Sequence, residues 1–204
     1  LADDLELIAN KFEGEIAACI VEPIAGSTGI LVPPKNYLNR LREICNKHGI
    51  LLIFDEVITG WGRTGSPFAA QEFNVTPDIM TLAKATTNGV VPMGVVAIRD
   101  GIYDTVVDSA PKGAIELFHG YTYSGIPAAV AAALAVQDIL EKENIFNKVK
   151  NISPYFQEAL HSLRDLDCIE NIRGYGLLGG VDIKKKDKPG NAGFQVYRAC
   201  YENG

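Results

Sequence analysis

The sequence predicts an α/β fold, a mostly parallel sheet flanked by helices, with the start of a second, smaller unit behind it. Two observations carry this reading. Short apolar runs alternate with longer amphipathic segments through the first part of the chain, the pattern of strand-helix-strand units around a parallel sheet. The runs are also nearly continuous in apolar residues, as strands are when helices cover both faces of their sheet.

The strand candidates are residues 17–22, 50–55, 79–84 and 95–98. Between the first two, Leu38, Leu41, Ile44, Cys45 and His48 recur at helical spacing, with Lys47 in the last turn and Gly49 as the stop. Pro127 stands where a helix can begin, because its missing N–H is not needed at the first helical position. The stretch 128–136 is apolar on every side and predicts a helix buried for most of its length. A further helix is expected to open with Ser153 as N-cap and Pro154 at the first helical position, burying Tyr155, Phe156, Ala159, Leu160 and Leu163. Residues 169–183 read as extended, glycine-rich structure, and 184–193, rich in Lys, Gly and Pro, as a loop. The expected division is 1–150 for the first unit and 151–204 for the second.

The bulk properties narrow the function classes. A net charge of −6 repels phosphate backbones, and the short run Lys184, Lys185, Lys186 reads as a solvated loop, so no nucleic-acid partner is expected. No apolar run approaches the ~20 residues of a membrane helix. Cys19, Cys45, Cys168 and Cys200 form no C-x-x-C pair, so neither a zinc site nor a disulfide framework is expected, and a reducing cytoplasm is the natural setting. No G-x-G-x-x-G follows the first strand, which weakens a nucleotide-binding reading. Leu1 opens no signal-peptide-like leader, and the missing initiator Met points to a piece of a longer chain.

Three successive strand candidates finish on a charged residue: Glu22, Asp55 and Lys84. In open α/β sheets ligands sit beyond the carboxyl ends of the strands, so these side chains are expected to converge on one crevice. Any one of them could equally be a surface or salt-bridged group; agreement among three strengthens the functional reading. Asp55 follows an apolar run, and a carboxylate there stays ionised beside a cation or strong donors. Lys84 follows it after about 30 residues, the length of one strand-helix-strand excursion. A lysine amine in such a crevice can capture an aldehyde as a Schiff base and later move a proton as base and acid. A purely structural Lys–Asp ion pair is the competing reading.

The segments VEPIAGSTGILVPP, LLIFDEVITGWGRTG, TPDIMTLAKATTNGVVPMG and FHGYTYSGIP, in this order and spacing, resemble those of the class III, pyridoxal-phosphate-dependent aminotransferases of fold type I. The long match from Glu22 to Gly60 resembles their ω-amino acid:pyruvate (β-alanine:pyruvate) branch. The resemblance implies that this chain is a central fragment: part of the cofactor-binding large domain (1–150) and the start of a small C-terminal α+β domain (151–204). It further implies pyridoxal 5'-phosphate as cofactor, with Lys84 as the covalent anchor, Asp55 on the pyridine nitrogen, Val57 against one ring face and Glu22 at the edge of the site. Thr122 matches a threonine that reaches the cofactor phosphate of a neighbouring subunit, which implies a homodimer. The implied reaction moves an amino group from an ω-amino acid or amine to pyruvate or a related 2-oxo acid. An aminomutase or decarboxylase with the same lysine and aspartate, or a non-catalytic truncated domain, are the alternatives. No metal is implied.

The family usually has Gly-Leu after the lysine, His before the long helix and Phe in the turn, where this chain has Ala85-Thr86, Ile126 and Trp61. Members also carry a phosphate-binding loop and a ring-stacking aromatic on a preceding segment, and a carboxylate-gripping arginine on a following one. Lacking these groups, the isolated chain is expected to hold the cofactor poorly.

Overall fold

The computed structural model describes residues 1–115, 117, 119–184, 188 and 190–204. Strands β1 (Ala18–Val21), β2 (Leu51–Asp55), β3 (Ile79–Leu82) and β4 (Val95–Ile98) form one sheet in that spatial order. The first three are parallel and β4 is antiparallel. All four expected strands are present. The third ends at Leu82, and Lys84 opens a short 3-10 turn, Lys84–Thr86, instead of ending the strand.

Helices α1 (Ala2–Lys11) and α2 (Tyr37–His48) supply the apolar cover of one face. Leu52 and Phe54 of β2 are wholly buried there against Leu38, Leu41, Ile44 and Cys45 of α2. Each such side chain contributes about 1.5–3 kcal/mol on burial. Gly49 ends α2 in the left-handed region with φ +68°, as the sequence predicts, and its N–H closes on Cys45 O. Cys19 of β1 packs against the core that holds Cys45, and the neighbouring Cys45 thiol lowers the Cys19 pKa to about 7.

The sheet is mostly parallel and flanked by helices, as expected, but the cover of its second face is incomplete among the described residues. Alternation along the paired strands puts Ile20, Ile53 and Ile79 on the face opposite to Leu52 and Phe54, together with Asp55, Thr81 and Val96. Ile20 and Val96 on that face are 62% and 63% exposed. The continuous apolar character of the strands is thus real, and only one half of it is satisfied here.

Helix α5 (Pro127–Lys142) starts at Pro127 as predicted, but its expected burial is not observed. Only Ala129 and Ala133 are buried, while Leu134 and Ile139 are 59% and 51% exposed. The two alanines lie one turn apart on the stripe that packs inward, which Val136 and Leu140 continue half-buried.

The helix expected to open at Ser153 instead runs from Ile145 to His161 as α6, with Pro154 inside it. Partly buried positions 145, 146, 149, 153, 156, 157 and 160 keep one stripe through the proline, which sits on the exposed side. Ser153 is no cap: its hydroxyl donates back to Val149 O at 2.6 Å. Residues 169–183 form a hairpin as expected, β5 (Ile169–Tyr175) and β6 (Leu178–Ile183). Helix α7 (Asn191–Asn203) claims the end of the expected loop 184–193, and Lys185–Asp187 and Pro189 lie outside the described residues. Two further α-helices, α3 (Ala69–Glu72) and α4 (Asp100–Ser109), and a 3-10 turn, Ser162–Asp165, are the remaining elements among the described residues. No helix among the described residues is long and apolar enough to cross a membrane.

The hairpin docks on the turn that follows β2. Leu177 N donates to Arg63 O at 2.9 Å, Arg173 Nε donates to Gly29 O at 2.9 Å, and the Tyr175 hydroxyl donates to Glu72 Oε1 at 2.6 Å. The approach is close enough that a Cβ on Gly176 would stand 2.4 Å from Arg63 O, and Gly176 also has φ +58°. Glycine is required there on both counts.

Candidate active site

Parallel pairing brings the carboxyl ends of β1, β2 and β3 to one edge, with neighbouring strands about 4.8 Å apart. Glu22 directly follows β1, Asp55 ends β2, and Lys84 stands just beyond β3. The three charges picked from the sequence therefore share the edge where ligands bind in open sheets, with Asp55 on the middle strand.

Asp55 is half-buried. Its Oδ1 accepts a hydrogen bond from Val57 N at 3.0 Å, which fixes the orientation of the carboxylate. Its register partner is Thr81, whose carbonyl accepts from Glu56 N at 2.9 Å, so the ladder holds to the last residue of the strand. Val57 is half-buried and lines a cleft of about 560 Å³ together with Thr81, Ala83, Met93, Tyr121 and Tyr123. Ala83 immediately precedes Lys84. The Lys84 side chain is exposed, and its backbone lies in the left-handed region with φ +45°. For a residue with a Cβ that conformation costs about 1–2 kcal/mol. The surrounding turn offsets the cost: Thr86 N donates to Ala83 O at 3.0 Å, and Asn88 N to Ala85 O at 3.2 Å.

Glu22 and Thr122 stand apart from that centre. Glu22 Oε2 accepts from Gly26 N at 2.9 Å, so this carboxylate braces the turn after β1. A Cβ on Gly26 would meet Ile58 Cδ1 at 2.4 Å, which ties that turn to the loop after Asp55. Thr122 is exposed in the turn between Tyr121 and Tyr123, the two aromatic residues that reach the cleft. Tyr121 N donates to Ser124 Oγ at 3.0 Å and closes the turn.

Glu56 escaped the sequence reading. It is fully buried and accepts hydrogen bonds from Ala69 N and Ala70 N, both at 2.7 Å, and from the Thr59 hydroxyl at 3.0 Å. Burial pushes its carboxyl above the ordinary glutamate range, against the pull of these three donors. Its work is to anchor the start of α3 and to fold the loop 56–69 back under the site. The only available signal was alternation: next to Asp55 at a strand end, the following acid must face the other way.

A primary amine, a carboxylate oriented by a backbone amide and the apolar Val57 thus stand at neighbouring carboxyl ends of one sheet. This donor set fits an aromatic aldehyde cofactor with a basic ring nitrogen, such as pyridoxal 5'-phosphate, with Lys84, Asp55 and Val57 as the residues that would hold it.

The family model for class III aminotransferases matches residues 1–204. An omega-aminotransferase of Caulobacter vibrioides is 49% identical over 206 residues, covering 100% of this chain and 47% of that protein. An omega-amino acid–pyruvate aminotransferase of Pseudomonas putida is 48% identical over 208 residues, covering 98% of this chain and 46% of that protein. The chain thus spans about half the length of the curated relatives it matches. Among solved structures, an aminotransferase of Bacillus anthracis superposes with a TM-score of 0.91 at 34% identity, over 100% of this chain and 46% of that one. With a lysine and an aspartate at adjacent strand ends and a family match along its whole length, the chain belongs to the class III aminotransferases.

Proposed function

We propose that the polypeptide carrying this segment transfers an amino group from an ω-amino acid or amine to pyruvate, with pyridoxal 5'-phosphate as cofactor. The observation that carries the reading is the placement of Asp55 and Lys84 at the carboxyl ends of adjacent parallel strands, where Val57, two residues after Asp55, and Ala83, just before Lys84, line one cleft. When bound, the cofactor supplies an aldehyde for amine capture and a ring that accepts electron density. Lys84 is its covalent anchor and, once released, the base and acid that carries a proton between carbon atoms. The Asp55 carboxylate, oriented by Val57 N, keeps a proton on the ring nitrogen through its charge. Val57 gives one ring face an apolar wall and excludes water from it. Glu22 holds the adjoining turn at the rim of the site.

The choice of pyruvate and an ω-amino donor is supported by relatives at 48–49% identity, one of which is an omega-amino acid–pyruvate aminotransferase. The exposed turn at Thr122, flanked by Tyr121 and Tyr123 at 78% and 80% exposure, is suited to complete a second subunit's phosphate site in a homodimer. We assign residues 1–150 to the large cofactor-binding domain and 151–204 to the small one, and the cysteine usage supports a cytoplasmic setting. The test is a chimera in which these 204 residues replace the matching segment of the Pseudomonas putida relative. Alanine formation from β-alanine and pyruvate is expected. A folded, cofactor-loaded chimera that releases carbon dioxide or an isomerised amino acid instead would overturn the reading.

A further inference from the structure

We propose that Trp61 and Thr86 form a hydrogen-bonded lock that positions Lys84, an inference that rests on the reading of Lys84 as the cofactor-holding residue. The indole Nε1–H of Trp61 donates to Thr86 Oγ1 at 3.0 Å, and that hydroxyl donates to Ala83 O, also at 3.0 Å. A threonine hydroxyl has a single proton, and an indole N–H can only donate. With the indole seated on the oxygen, the hydroxyl proton has to point elsewhere, and Ala83 O is where it goes. Ala83 O accepts from Thr86 N as well, at 3.0 Å, so two bonds from Thr86 close on the carbonyl just before Lys84.

The lock sits where the chain needs one. Lys84 holds a left-handed backbone, φ +45°, and a residue with a Cβ persists there only when its surroundings over-determine it. Thr86 is 2% exposed, so its hydroxyl cannot exchange these partners for water. The indole is fixed in turn. Trp61 N donates to Pro67 O at 2.6 Å, and the ring meets that of Phe68 edge to face with centroids 5.1 Å apart. Its other side borders a small cavity shared with Ala85, Val136, Ile139 and Leu140, where α5 covers the turn. The loop after β2, which begins at the cofactor-facing Asp55, is thereby tied to the turn after β3 that presents Lys84. Trp61 and Thr86 touch no reacting atom; they are positioning residues.

Trp61 is the sole tryptophan, so its indole N–H gives one resolved resonance. The experiment uses this chain and its Thr86→Val, Thr86→Ser and Trp61→Phe variants, with far-UV circular dichroism to check folding. Two quantities are read: hydrogen exchange of the indole N–H, and the rate at which millimolar pyridoxal 5'-phosphate is trapped on Lys84 by borohydride, mapped against the other lysines. In Thr86→Val we expect indole exchange to quicken and Lys84 trapping to slow, each by about tenfold, the scale of one lost buried hydrogen bond, with the other lysines unchanged. Thr86→Ser keeps both bonds and is expected to stay within about twofold of the parent chain on the same scale. Trp61→Phe is expected to slow trapping in the same direction. If Thr86→Val or Trp61→Phe trap Lys84 as fast as the parent, the lock does not position the lysine and the proposal falls. Loss of helix and sheet in Thr86→Val leaves Trp61→Phe and Thr86→Ser to decide by the same comparison. Rapid indole exchange in the parent removes the bond itself. A parent in which Lys84 is trapped no faster than the other lysines contradicts the cofactor reading instead, which the exchange measurement distinguishes.

Discussion

Replacing Asp78 by Asn will unfasten the sheet that brings Asp55 and Lys84 together. Asp78 is 4% exposed and lies at the amino end of β3, opposite the candidate site. Its Oδ2 accepts from Leu52 N at 2.8 Å and from Arg42 Nη1 at 2.7 Å, and its Oδ1 pairs with Arg99. Its backbone N–H donates to Leu52 O at 2.8 Å, so one residue bonds both polar groups of Leu52 and sets the register that opposes Asp55 to Thr81. An asparagine keeps one acceptor oxygen and turns an NH₂ toward a guanidinium. The Arg99 side chain is 62% exposed and returns to water at little cost, whereas Arg42, at 18%, loses its partner where water is scarce. Breaking a buried pair from one side costs about 3–5 kcal/mol, and the residual amide contact with Leu52 places Asp78→Asn at the lower end, near 3 kcal/mol. With a urea slope of about 2 kcal/mol/M the midpoint falls by about 1.5 M. Arg42→Gln should come close to this, while Arg99→Gln should cost below about 1 kcal/mol. Burial pushes the Asp78 carboxyl up, but the Leu52 amide, Arg42 and Arg99 together hold it below the ordinary aspartate range. Because the folded value is depressed, this stability is complete above the ordinary aspartate value and is lost as pH falls through the depressed one. The gap between parent and Asp78→Asn should therefore narrow on acidification. A midpoint shift under about 0.3 M in urea at neutral pH, or a gap that widens in acid, refutes the reasoning.

Three further outcomes are expected. In the chimera with the Pseudomonas putida relative, Asp55→Asn should lower transamination by about 10²–10³-fold, the scale for removing a fixed group that acts on developing charge, while covalent attachment to Lys84 persists; near-normal turnover removes the charge-holding role. The 204-residue chain alone should bind pyridoxal 5'-phosphate weakly and form no alanine from β-alanine and pyruvate, because the bonds to a phosphate and a stacked ring cannot be replaced by one reversible imine; stoichiometric binding with steady turnover contradicts this. Tyr175→Phe removes the 2.6 Å hydrogen bond to Glu72 that docks the hairpin, and should cost about 1–2 kcal/mol in denaturant titration, with Glu72→Gln giving a similar loss and the double variant little more than either alone.

The features legible in the sequence were those set by local chemistry. Apolar runs marked all four strands of the main sheet, Gly49 marked the end of α2, and the charges after three successive strands marked the candidate site. Features decided by what packs against an element were not legible. Ala128–Val136 has the composition of a buried helix, yet Val130 and Leu134 stay exposed because burial depends on a neighbouring surface and not on the helix itself. Ser153-Pro154 has the chemistry of a helix start, and the apolar stripe from Ile145 overrode it, since a proline on the solvent side leaves the inward contacts intact. Glu56 was invisible for the same reason: its three donors come from residues 59, 69 and 70, brought together only by the fold of the loop. Trp61 and Thr86 drew notice singly as departures from the family pattern, and only the folded chain joins them.

The central claim is that Lys84 is the residue that holds the cofactor, and peptide mapping after borohydride reduction tests it most directly. The chimera is loaded with pyridoxal 5'-phosphate, reduced, digested and read by mass spectrometry. The account predicts one phosphopyridoxyl group per chain, on the peptide containing Lys84, and its absence in Lys84→Ala. Stoichiometric label on any other lysine, or undiminished label in Lys84→Ala, would contradict it.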